Sequence, residues 1–211
     1  MAELDQLSRL LISLGTTLVF AVLVLLCYRK STANLDKQYS TFWPRFFSPF
    51  VDGLFLWPLT GFIPYILSFE LPTFIAVILW FIQSIGWYVY HVYMHGKYGQ
   101  TFGKWACKVK IVTFKNEKNI NFRIAILRDS IPIALFVLVL IAEFYLIIVG
   151  KLTLTELYRP TPESIKIQFY LYLIPMLWLV AELVTMLTNK KRRALHDYIA
   201  GTVVVRTNIT D

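Results

Sequence analysis

The chain has 211 residues, 57% of them hydrophobic, 16% aromatic and 16% charged, with 21 Lys and Arg against 13 Asp and Glu and a formal net charge of +8. That balance is too apolar for an ordinary soluble domain. The basic excess falls between long apolar blocks, which argues for contact with anionic headgroups and against nucleic-acid binding.

Five apolar blocks stand out, at about 7–28, 46–69, 73–93, 131–150 and 167–188. Each reaches the roughly 20 residues that a helix needs to cross ~30 Å of hydrocarbon. The expected fold is therefore an all-α polytopic membrane protein of about five transmembrane helices. The first block follows Glu3, Asp5 and Arg9 rather than a basic leader, and ends in Tyr28-Arg29-Lys30 rather than a small-residue cleavage site. It is expected to be a retained helix and not a signal peptide.

Seventeen of the 21 basic residues lie between the first and second blocks, between the third and fourth, or after the fifth. The opposite face holds Arg9, Lys151, Arg159 and Lys166. By the positive-inside rule the N-terminus is expected outside and the C-terminus in the cytoplasm of a cell (inner) membrane protein.

The basic segments have local grammar of their own. YGQTFGKW (98–105) opens with turn residues, KVKIVTF (108–114) alternates basic with β-branched or aromatic residues, and NEKN (116–119) reads as a turn. Ile120 to Arg123 could return as a short partner strand, and the strand-like TVVVR (202–206) could pair with KVKIV in a small cytoplasmic sheet. The other reading is irregular loops with interfacial side chains. GKWACKVKIV (103–112) and HDYIAGTVVV (196–205) share a polar-polar-aromatic start, a small-residue step and a β-branched run. Transporters are often built from such repeats.

Cys27 and Cys107 are expected as reduced cytoplasmic thiols. No CxxC, HExxH, P-loop or GxSxG pattern occurs, and His196-Asp197 lacks the further ligands of a metal site. No enzyme, cofactor or metal is expected.

WPRFFSPFVDGLF (43–55), GKYGQTFGKWACKVKIV (96–112), ILRDSIP (126–132) and LHDYIAGTVVV (195–205) together resemble the RDD family of bacterial membrane proteins. The resemblance covers about residues 40–206. It matches the family's helix-start arginine and first aspartate with Arg45 and Asp52, and its G-Q-T-x-G-K loop with Gly99, Gln100, Thr101, Gly103 and Lys104. It matches the terminal His-Asp with His196 and Asp197. It implies a four-helix membrane domain over 40–211, with cytoplasmic loop 94–130 and tail 189–211. Residues 1–39 form an added helix and linker. Transport of unidentified ligands is the activity it implies, with cation/proton exchange proposed for some members.

Arg45 and Asp52 lie seven residues apart, nearly two turns, so they share a helix face about 10 Å apart along the axis. Arg45 can snorkel to headgroups, whereas the short Asp52 needs a partner, a proton or a cation. Ser48-Pro49 reads as a helix start, and Pro49 as a kink. Glu182 lies at the same expected depth on the fifth block. Two carboxylates at one level would share a proton or a cation, which suits a proton-coupled cation site. Glu143, with Gln83, would line an outer part of the path. The alternative is that Asp52 pairs with Arg192, Arg193 or Lys104 and locks helices to loop. Two functions stay open. One is a secondary transporter exchanging a small cation for protons, as a homodimer because five helices barely enclose a path. The other is a non-transporting scaffold with an Arg/Asp/Asp clamp and a basic docking face. Pro58, Pro64 and Pro175 favour the first, since breaks in spans free backbone groups.

Overall fold

The computed structural model describes residues 2–29, 31–69 and 71–210, without the side chains of residues 2–6 and 9. Lys30 and the side chains of Glu3, Asp5 and Arg9 thus lie outside the described residues. In order, the elements are α1 (Ala2–Arg29), α2 (Phe42–Phe55), α3 (Ile63–Leu67), α4 (Thr73–Tyr98), α5 (Phe102–Ala106), β1 (Val109–Thr113), α6 (Phe122–Ile148), α7 (Leu154–Tyr158), α8 (Pro162–Thr188), α9 (Leu195–Ile199) and β2 (Thr202–Arg206).

Four helices, α1, α4, α6 and α8, are long and apolar enough to cross a membrane alone. The second block makes a bent pair: α2 and Pro58–Leu67 meet at 72°. The break has a local cause. Pro58 and Pro64 offer no N–H, and the amides of Leu59 and Thr60 both turn back to the Leu56 carbonyl, at 2.8 and 2.9 Å. Taken as one, the bent pair is a fifth candidate span. The linker before α2 is tied to the tail by Arg206 N–H to Gln38 O and Arg206 Nε to Ser40 O, each 3.0 Å. The end of α4 is tied to β1 by Ile111 N–H to Gly99 O, 2.8 Å. Both ends of the α2–α3–α4 hairpin therefore sit at the sheet, and α2 with α3 must travel as far out as α4 travels back. The outward faces of the long helices carry exposed Ile141, Ile148, Tyr170, Ile174 and Leu177, as lipid contact requires.

β1 and β2 pair antiparallel, from Val109 opposite Arg206 to Thr113 opposite Thr202. Val109, Ile111, Val203 and Val204 are fully buried, and the sheet packs with Cys107 against Ala21 and Val24 of α1 and Val51 of α2. The sheet expected from KVKIV and TVVVR is present. Three expectations are corrected. Ile120 to Arg123 is no strand: only Asn119 bridges to Val112, because the Asn121 side chain accepts from Ile124 N–H at 3.0 Å and starts α6. Loop 94–130 is accordingly helical at both ends, through Tyr98 and from Phe122. The helix does not begin at Ser48-Pro49 but at Phe42; Pro49 lies inside it, and Ser48 Oγ donates at 3.2 Å to the Arg45 carbonyl that Pro49 cannot serve.

The two segments that look alike in sequence also fold alike. Residues 99–113 and 192–206, 93 positions apart (113 against 206), run through the same backbone states. Gly99 and Arg192 both take positive φ, 71° and 51°. Thr101 and Ala194 follow as extended helix caps, with φ/ψ of −84°/172° and −87°/170°. A five-residue helix comes next, then a second positive φ at Lys108 (57°) and Gly201 (63°), then a five-residue strand. The central pair of the sheet is Ile111 opposite Val204, which are themselves equivalent positions, so the pairing is two-fold symmetric about them. Upstream, α2 and α6 each carry Arg-x-x-x-Pro, at Arg45–Pro49 and Arg128–Pro132. The membrane domain is two copies of one unit: arginine-bearing helix, return helix, short helix, strand.

Candidate functional site

Asp52 is fully buried on α2. Its carboxylate accepts from Tyr90 Oη (2.7 Å), Thr101 Oγ1 (2.7 Å) and Gly103 N–H (2.8 Å). Thr101 Oγ1 also accepts from Lys104 N–H at 3.2 Å and so caps α5. The close approach needs a glycine: a Cβ on Gly103 would stand 2.0 Å from Ser48 O and 2.7 Å from Asp52 Oδ2. The G-Q-T-x-G-K loop is thus a cradle for one carboxylate. Gly99 supplies the left-handed turn after α4, Gln100 lies in that turn, and Asp52 makes no ion pair among the described residues.

Asp197 is the centre of a second polar cluster and is also fully buried. Arg45 Nη1 lies 2.9 Å from Oδ2, and Arg128 Nη1 contacts Oδ1. Thr202 Oγ1 and Ala194 N–H donate at 2.9 and 3.0 Å. The two arginines come from equivalent places in the two units and converge on one aspartate. Burial pushes the Asp197 pKa up, but Arg128 and Arg45 outweigh it and hold it well below the usual carboxylate range. Arg45 also donates to the Arg192 carbonyl at 2.8 Å, so it is buried in the cluster rather than reaching for headgroups.

His196 joins this cluster to α8. Its Nε2 lies 3.2 Å from Arg45 Nη2 and 2.6 Å from Arg128 Nη2. Arginine can only donate, so Nε2 accepts and the proton sits on Nδ1. Burial and Arg128 push the His196 pKa below its ordinary value, consistent with the neutral ring. Nδ1 faces Glu182 Oε2 at 2.7 Å. The other oxygen, Oε1, accepts from His196 N–H at 3.1 Å.

Above the cluster, between α2, α4, α6 and α8, lies a cavity of about 640 Å³. Its walls are apolar, with Phe50, Phe136, Trp178 and Leu179. Its polar end holds Lys104, Asp129, Glu182, His91, His95 and His196. His95 Nδ1 lies 3.2 Å from Asp129 Oδ2, while its buried Nε2 has no partner among the described residues. His91 Nδ1 donates to Trp87 O at 2.9 Å. A second cavity of about 280 Å³ lies farther from the sheet and contains Glu143, Gln83 and Tyr158. There Tyr172 Oη donates to Glu143 Oε1 at 2.9 Å, and Tyr158 Oη to Gln83 Oε1 at 2.6 Å. The two cavities share Tyr88, Phe136, Val139 and Tyr172 as a partition.

The structure brings Arg45, Glu182, His196 and Asp197 together. It sets Asp52 aside in its own cradle and puts Glu143 in the outer cavity. Asp52 and Glu182 share a role of another kind. Gly103 N–H and His196 N–H are equivalent positions of the two units, and each donates to a buried carboxylate, Asp52 and Glu182 respectively. Arg128, Asp129, His91 and His95 were not singled out in the sequence. The recurring Arg-x-x-x-Pro and the four-residue spacing of the histidines were the available signals. Among the described residues no group of three or more His, Cys, Asp or Glu is placed to hold a metal.

A family model for the RDD family matches residues 39–201. The chain belongs to the RDD family. RDD proteins are membrane proteins, and the match takes in the first unit and the second as far as Gly201, with Arg45, Asp52, Arg128 and Asp197, while leaving α1 and β2 outside. No curated protein and no solved structure matches the chain.

Proposed function

We propose that this RDD protein is a secondary transporter that exchanges a small cation for protons, with the inner cavity as its substrate site. The observation that carries the reading is the pair of cavities, the inner lined by Asp129 and Glu182 and the outer by Glu143, which share four side chains as a partition. Charged side chains inside a membrane are costly and mark ion paths. Glu182 is the first cation contact in this reading, since it is a buried carboxylate at the polar end of the inner cavity and no arginine or lysine pairs with it among the described residues. Glu143 is the outer contact. Asp52 and Asp197 have their oxygens filled by protein donors and serve as the frame.

The buried Asp197 with its two arginines favours a second reading, a scaffold whose polar clamp only holds helices together. Flux separates the two. In proteoliposomes, an imposed sodium or potassium gradient should drive proton counter-movement by the wild type, and Glu182→Gln should reduce it at least tenfold while keeping the fold. Absence of cation-driven proton movement by the wild type leaves the scaffold.

The reading places the protein in the cell membrane as a homodimer, with its basic linker, loop and tail against anionic headgroups in the cytoplasm. A cysteine reporter near Asn116 should then label only after permeabilisation, and one near Glu156 in intact cells. The opposite pattern reverses the orientation.

A further inference from the structure

Exchange of a cation for a proton needs a group that gives up its proton when the cation arrives. Most charged groups around the inner cavity are unsuited. Arginine stays protonated, which removes Arg45 and Arg128. Asp197 is held as a carboxylate between them, and the Asp52 oxygens are filled by Tyr90, Thr101 and Gly103.

Lys104 is different. It is the third residue of α5, as Asp197 is the third residue of α9, so the two occupy the same place in the two units. At that place one unit puts a carboxylate countered by two arginines, and the other puts an ammonium with no ion pair among the described residues. Lys104 lines the cavity, and its Nζ makes no hydrogen bond or ion pair among the described residues. The charged and titratable groups around it are Arg45 and Asp52 on α2, His91 and His95 on α4, and Arg128 and Asp129 on α6.

We infer that Lys104 carries the exchanged proton, as an ammonium when the cavity holds no cation and as a free amine when a cation sits against Asp129 and Glu182. The inference rests on the transport reading above. One monovalent cation enters and one proton leaves the Lys104 ammonium to water, so the cavity keeps its charge and the exchange is one for one. The lysine is suited to this. Burial, with Arg128 and Arg45 also lowering it against Asp52 and Asp129, pushes its pKa down to about 8. A compact ammonium on a flexible stem shifts in this way and a guanidinium does not.

The test uses the full chain in liposomes under a sodium gradient, with an internal pH dye and tracer sodium, comparing wild type, Lys104→Gln and Lys104→Arg. The expected result is that Lys104→Gln loses at least tenfold of its sodium-driven proton movement while tracer sodium still enters. Lys104→Arg, a permanent cation in the cavity, should lose both. If the wild type exchanges and both variants move protons at its rate, the assignment to Lys104 falls and the transporter reading stands. If the wild type moves no protons under any alkali-cation gradient, both fall. Should the variants fail to insert, the wild type decides. With its lysines labelled by ¹³C-methylation, the Lys104 signal should titrate near pH 8 and move lower as sodium is added. A titration indifferent to sodium overturns the assignment.

Discussion

Asp197→Ala should cost about 3–5 kcal/mol of stability, because it leaves two buried guanidinium groups without their counter-charge. The side chains of Arg45 and Arg128 are only 8% and 3% exposed, so water cannot replace the carboxylate. Ala194 N–H and Thr202 Oγ1 lose an acceptor as well. Thermal unfolding in detergent should show the loss, and Arg128→Met on top of Asp197→Ala should recover part of it by removing one stranded charge. A loss below about 1 kcal/mol would mean that the cluster is open to solvent. The pH dependence has a definite sign. The folded pKa of Asp197 lies below its unfolded value of about 3.9. Its contribution is therefore complete at neutral pH, and the gap between wild type and variant closes only as pH falls through the folded value.

Gly103→Ala should be as damaging for a steric reason. The new methyl would sit 2.0 Å from the Ser48 carbonyl oxygen, which belongs to the backbone of α2 and cannot swing aside. α5 must back away from α2, which weakens the bond from Gly103 N–H to Asp52. Overpacking and a lost charge-assisted hydrogen bond together amount to about 3–5 kcal/mol. Gly53 makes a sharp control. It lies on the same helix as Ser48, a Cβ there meets nothing within 4 Å, and Gly53→Ala should stabilise by about 0.5–1 kcal/mol. Asp52→Asn should fall between, at about 1–2 kcal/mol. The amide oxygen can still take Tyr90 Oη and Gly103 N–H, and Thr101 Oγ1 can turn to accept. Melting temperatures that rank these three variants otherwise would refute the cradle.

The helices and the sheet were legible because their signals are local. An apolar block of about 20 residues, and β-branched runs such as TVVV, carry their own periodicity. The partners of the buried charges were not legible. Arg45 and Asp52 share a face of α2, yet one turns to Asp197 and the other to Gly103, and which neighbour stands beside each is set by how the helices pack. Asp129 and His95 fall within the expected loop 94–130 because α4 and α6 each run past the apolar block that marks them. Asn121, a capping residue, could have moved the start of α6 back. The near-identity of the two short helices and strands was visible in GKWACKVKIV and HDYIAGTVVV, although its meaning depends on the register of Ile111 opposite Val204.

That register bears on what a tandem chain can do that a pair of identical chains cannot. Two separate copies of one such unit, paired edge to edge through the same strand, would have to set like residues across the axis, lysine facing lysine or aspartate facing aspartate. Joined end to end, the halves are free to differ. This chain places Lys104 at one of the equivalent positions and Asp197 at the other. The covalent link thus lets the centre of the molecule be asymmetric, with an aspartate held between two arginines at one of the equivalent places and, at the other, a lysine that makes no ion pair among the described residues.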